Sequence, residues 1–174
     1  MATLILSVVG SDRPGLTQSL ASAVLSAGGN WLESRLSRLG GLYVGSVLVE
    51  VEGGGVEALR AAVQAVDAEG LEVRIAPAVE GADAAGDLMH LSLVGQDRPG
   101  IVHQVTAILS RLGVNIEEFE SDIGVEPHSG GALFQMDARL RLPSGLAAAE
   151  VQAALEAMSA EVMVDISLTA PDAR

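Results

Sequence analysis

The sequence predicts an α+β protein made of two copies of one βαββαβ unit, each a four-stranded antiparallel sheet with two helices on one face. Three observations carry this prediction. The hexapeptide G-x-D-R-P-G occurs twice, at 10–15 and 95–100, an offset of 85 residues. Each copy follows an apolar run that alternates with period two, as a strand with one buried face does. Each copy is followed by an apolar stripe at helical spacing. Two copies of one unit is the economical reading of such self-similarity.

The elements follow in chain order. Leu4, Leu6 and Val8 alternate with Thr3, Ile5 and Ser7, and in the second copy Met89, Leu91 and Leu93 alternate with His90 and Ser92. Both runs read as strands. The helical stripes are Leu16, Leu20, Ala23, Val24 and Ala27, then Ile101, Val105, Ile108, Leu109 and Leu112. Gly28 and Gly113 stand where a glycine stops a helix. Next, "NWLESRLSRL" with "LYVGSVLVEV", and "NIEEFESDI" with "ALFQMDARLRL", read as hairpins joined through glycine-containing connections. A second helix follows in each copy, carrying Val56, Leu59, Val63 and Val66, or Val151, Leu155 and Met158. The closing strands are "LEVRIA" and "EVMVDISL". Right-handed crossovers then give each copy the ferredoxin-like arrangement. The offset grows to 90 at Gly41 and Gly131, which places an insertion near "GVEPHSG". The expected boundaries are a first module at 1–78, a linker at 79–87 ("VEGADAAGD"), a second module at 88–170 and a tail at 171–174. One module alone is small for an independent core, and its sheet edges need cover.

Composition narrows the function. The chain has 174 residues, is 49% hydrophobic and only 2% aromatic, so the core must be aliphatic. A net charge of −13 disfavours direct binding to nucleic acid or to an anionic membrane. The absence of cysteine excludes thiol chemistry and disulfides. The three histidines, among them His90 and His128, show no ligand spacing, so no metal is expected. The opening "MATLILSVVG" lacks a basic flank and reads as a strand, and a cytoplasmic location is expected.

The doubled hexapeptide marks the candidate site. Proline disfavours an α conformation in the residue before it. Arg13 and Arg98 are therefore expected to be the last non-helical residues, with Pro14 and Pro99 at the first helical position. The helix start offers unpaired amides and partial positive charge to a small anion such as a carboxylate. Asp12 or Asp97 nearby suits an ammonium group. The plainer alternative is a capped strand-to-helix turn with no ligand.

The strand, the "VGSDRPG" or "VGQDRPG" turn, the helix and the "GGN" or "GVN" opening of the next strand resemble the ACT domain, a family of small ligand-binding modules. The resemblance covers about 3–77 and about 88–169, and the tandem arrangement is similar to the glycine cleavage system transcriptional repressor group. It implies that a small amino acid or related metabolite binds near the interface of two modules, held by the loop after the first strand and the start of the second. The matching positions are Gly10, Ser11, Asp12, Arg13, Pro14, Gly15 and Asn30, with Gly95, Gln96, Asp97, Arg98, Pro99, Gly100 and Asn115. His103, which matches Gln18, lies in the first helical turn beside the loop.

The resulting expectation is a non-catalytic regulatory protein without a cofactor. It would signal through a protein partner, such as a transcription regulator, and exist as a homodimer or higher oligomer. Two alternatives stay open. One is a ligand-free dimerisation module. The other is an acylphosphatase-like hydrolase in which Arg13 with Asn30, or Arg98 with Asn115, serves a phosphoryl group. The second module's acidic stretch "EEFESD" (117–122) is either a solvated face or a surface for a basic partner.

Overall fold

A computed structural model describes residues 1–68, 70–79, 85–125, 131–162 and 164–170. The chain divides into two compact units, Met1–Glu80 and Gly81–Arg174. The first contains β1 (Ala2–Ser11), α1 (Leu16–Ser26), β2 (Asn30–Leu39), β3 (Leu42–Val51), α2 (Gly55–Ala68) and β4 (Leu71–Pro77). The second contains β5 (Leu88–Gln96), α3 (Ile101–Arg111), β6 (Asn115–Val125), β7 (Ala132–Arg141), α4 (Ala148–Val162) and β8 (Val164–Thr169). Most of the expected linker, the insertion around His128 and the tail lie outside the described residues.

Each unit is one four-stranded antiparallel sheet, ordered β2-β3-β1-β4 and β6-β7-β5-β8. The alternation read from the sequence sorts the faces. Leu4, Leu6 and Val8 are buried while Ser7 and Val9 face outward. The buried face meets the helices: Leu16, Leu20, Ala23 and Val24 of α1 join Leu59, Val63 and Val66 of α2 in one aliphatic core. The second core repeats this with Ile101, Val105 and Leu109 of α3 and Val151, Leu155 and Met158 of α4. Trp31 packs against the edge of the first core.

Both first helices end as the glycines predict. The Gly28 amide donates to the Leu25 carbonyl and the Gly29 amide to the Val24 carbonyl, with Gly113 to Ser110 and Val114 to Leu109 in the second unit. This paired pattern satisfies the last carbonyls of the helix. It reverses the chain just before β2 or β6.

The acidic stretch on β6 is partly spent inside its own sheet. Glu117 sits at a β-bulge, where the register shifts between Ile116 and Glu118. Its carboxylate accepts from Arg141 and from Arg139, the latter at 3.2 Å, while Glu118 pairs with Arg139 at 3.1 Å. The Arg141 hydrogen bond is the main reason the Glu117 carboxyl is held below the usual carboxylate range. Arg141 also donates to the Gly86 carbonyl at 3.2 Å, which ties the approach to β5 against the sheet.

Candidate functional site

The helix starts differ from the sequence expectation. α1 begins at Leu16 and α3 at Ile101, so Pro14 and Pro99 precede the helices instead of opening them. The reason lies in the next residue. Gly15 has φ 96° and ψ −10°, and Gly100 has φ 96° and ψ −3°, a left-handed conformation that no helical position adopts. Proline followed by such a glycine makes a type II turn, with proline and glycine as its two central residues. The turn re-aims the chain from strand to helix within a few residues.

This turn leaves the helix ends bare. The Ser19 amide donates to the Gly15 carbonyl at 2.9 Å, and the Gln104 amide to the Gly100 carbonyl at 3.0 Å. These are the first bonds of each helix. The amides ahead of them, on Leu16, Thr17 and Gln18 and on Ile101, Val102 and His103, have no acceptor among the described residues. Neither helix has a side-chain cap. Uncapped amides at a helix start carry the positive end of the helix dipole.

Beside each turn is an open hollow. The first, about 430 Å³, is lined by Asp12, Arg13, Pro14, Gly15, Leu16, Thr17 and Tyr43. The second, about 460 Å³, is lined by Asp97, Arg98, Gly100, Ile101, Val102, His103, Ile123 and Phe134. Gly10 and Gly95 lie just before the turns as the last buried strand positions, and Ser11 and Gln96 face solvent.

The two turns are alike in backbone and different in side-chain partners. Asp12 pairs with Arg38 of β2 at 3.0 Å, and the Thr17 and Tyr43 hydroxyls share a 2.7 Å hydrogen bond. In the second unit the Asp97 amide donates to the Ala132 carbonyl at 2.9 Å, and its carboxylate has no partner among the described residues. Arg98 is drawn back along α3 by a 3.0 Å hydrogen bond to Gln104. His103 and Gln18 are exposed in the first helical turn.

Asn30 and Asn115 do not join these turns within their own units. Asn30 pairs with Glu50, which pairs with Thr3, whereas the turn follows Ser11. Asn115 likewise stands beside Arg141 and Leu88, at the far end of β5 from Gln96. At roughly 3.3 Å per strand residue, the separation is about 26 Å. The helix returns the chain to the end of the sheet where β1 began, so β2 must start there. Arg13 and Asn30, or Arg98 and Asn115, therefore cannot serve one phosphoryl group within a unit. This removes the geometric basis of the hydrolase alternative.

Sequence reasoning missed the far wall of each hollow, Tyr43 in the first and Phe134 with Ile123 in the second, and it missed Arg38, which pairs with Asp12 at the first. Cross-strand register supplies them: Gly10 stands opposite Tyr43 and Tyr43 opposite Arg38, while Gly95 stands opposite Phe134 and Phe134 opposite Ile123. Among the described residues, no group of three or more His, Asp or Glu side chains is placed to hold a metal ion. No helix of the described residues is long and apolar enough to cross a membrane.

Comparison with known proteins follows the internal repeat. The sequence profile of the ACT domain matches residues 2–75 and again 88–169. A crystal structure of an unknown protein from Galdieria sulphuraria is 31% identical, with a TM-score of 0.84, over 97% of this chain and 97% of that one. The crystal structure of a candidate glycine cleavage system transcriptional repressor is 17% identical, with a TM-score of 0.69, over 97% of this chain and 96% of that one. Among curated proteins none matches the sequence.

Proposed function

The chain belongs to the ACT domain family, and from that premise we propose that it is a non-catalytic regulatory protein that binds a small amino acid or similar metabolite beside the strand-to-helix turn. The observation that carries this reading is the run of three uncapped amides at a helix start, facing a hollow of about 460 Å³ with the Asp97 carboxylate on its rim. A carboxylate is the anion such amides suit. An ammonium group pairs with Asp97. One amino acid satisfies both, because its two charges are fixed a few bonds apart. The glycine at the turn lets the backbone come close to the ligand without a side chain intervening.

Binding alone regulates nothing unless the ligand favours one arrangement of the protein over another. The turn is suited to that task, since it joins a sheet strand to the helix packed on it. The response would pass to a protein partner, and a transcription regulator is the finer form of the reading. It follows the likeness to the repressor group together with a net charge of −13, which disfavours direct DNA contact. Oligomerisation fits the same picture, because the sheets end in edge strands.

Isothermal titration calorimetry against the twenty common amino acids tests the reading. At least one is expected to bind with a dissociation constant of millimolar or tighter, and its presence to raise the unfolding temperature by mass action. No heat and no thermal shift across the whole panel would favour a ligand-free assembly module instead.

A further inference from the structure

The two hollows are built on the same turn, each with an Asp and an Arg on its lining, but the second is the more apolar. Three matched positions lose a polar group. Thr17 in the first helical turn becomes Val102. Tyr43, opposite Gly10, becomes Phe134, opposite Gly95. Arg38, opposite Tyr43, becomes Ile123, opposite Phe134. Each of these three changes replaces a polar or charged group with hydrocarbon, while in the same helical turn Leu16 becomes Ile101 and Gln18 becomes His103.

The consequences differ on the two sides. In the first unit the Thr17–Tyr43 hydrogen bond joins two lining residues, and Arg38 neutralises Asp12. The carboxylate that an ammonium group needs is already engaged. In the second unit Val102 and Ile123 border the hollow at 38% and 57% exposure, over a Phe134 buried to 7%. Neither aliphatic side chain is needed by the core, which closes without them. Exposed hydrocarbon gathered around a concave site marks a surface waiting for an apolar group. Asp97 supplies the complementary charge at the same rim.

We infer that the second module's hollow selects an amino acid with an aliphatic side chain, and that the first module's hollow does not take it. This rests on the proposed function and names the ligand class for that same site. The ammonium group meets Asp97, and the side chain lies among Val102, Ile123 and Phe134. A polar side chain at that place loses its water and gains no partner. The small size and charged rim of the hollow fit a free metabolite better than a protein segment.

The test is calorimetry with L-leucine, L-serine and 4-methylpentanoate, which is leucine without its amine. Wild type is expected to bind one leucine per chain, about tenfold or more tighter than serine, since each buried methylene adds several-fold. The carboxylic acid without the amine should bind at least about tenfold more weakly than leucine. The double variant V102T/I123R puts at the second hollow the residues that stand at the matching positions of the first unit, and leucine affinity should fall about tenfold or more. The reverse exchange T17V/R38I should leave the affinity of the second hollow unchanged, any added leucine binding arising at the first hollow, where Asp12 is released from Arg38. All four positions are at least partly open to solvent, and circular dichroism melting verifies that the variants fold. Serine bound as tightly as leucine, or a leucine site lost in T17V/R38I and kept in V102T/I123R, overturns the inference and leaves the sensor reading intact. Silence from all amino acids overturns both.

Discussion

Asp97→Ala weakens amino-acid binding by about 10- to 100-fold, the range for losing a hydrogen bond to a charged group. Of the two acids at the turns, Asp97 is the one whose carboxylate has no ion-pair partner among the described residues. Its structural contact to the Ala132 carbonyl comes from the main-chain amide, which alanine keeps. The unfolding free energy should therefore move by no more than about 0.5 kcal/mol, as for other surface substitutions. Titration calorimetry and urea denaturation on the same preparation separate the two effects. Asp12→Ala provides the contrast. It breaks an exposed pair with Arg38, worth about 1 kcal/mol or less, and leaves the ligand affinity in place.

Leu93→Ala has the largest effect on stability, lowering the unfolding free energy of its unit by about 2–5 kcal/mol. Leu93 is 0% exposed and sits on the central strand between Met136 of β7 and Ile166 of β8. Truncation leaves a void lined by side chains from both neighbouring strands and the helices above them. The neighbours are held by sheet hydrogen bonds and cannot close in to fill it. Urea denaturation followed by circular dichroism measures the loss. Leu25→Ala is the matched control: the same atoms are removed from a side chain 75% exposed, and the change stays within about 0.5 kcal/mol.

Much of this fold can be read in the sequence because its elements obey simple periods. Leu4, Leu6 and Val8 alternate and are buried on one face; Leu16, Leu20 and Val24 follow the helical stripe and meet them in the same core. The duplication made each assignment in one half a check on the other. The helix starts were less legible, since two local rules compete at Pro14–Gly15. Proline favours the first turn of a helix, but a following glycine at positive φ takes it into a type II turn instead. The sequence names both residues and not the winner.

The position of Asn30 follows from topology alone. Two parallel strands joined by a helix start at the same end of the sheet, so the asparagine that opens β2 lies far from the turn that closes β1. Linear proximity to the motif hid this. The far walls of the hollows were hidden for a different reason. Arg38 faces Tyr43 once the hairpin between Leu39 and Leu42 is fixed. That Tyr43 then stands opposite Gly10 depends on the register between β1 and β3, which strands distant in sequence do not announce. The divergence between the hollows, from Arg38 and Tyr43 to Ile123 and Phe134, is therefore visible only when the sheet is assembled.

The most direct measurement is a two-dimensional amide NMR titration of the full chain with L-leucine. Binding at the uncapped helix start of the second unit predicts saturable shifts concentrated on the main-chain amides of Ile101, Val102 and His103. Amides at 101–103 that stay fixed while leucine saturates elsewhere, or a spectrum that does not respond at all, would contradict it.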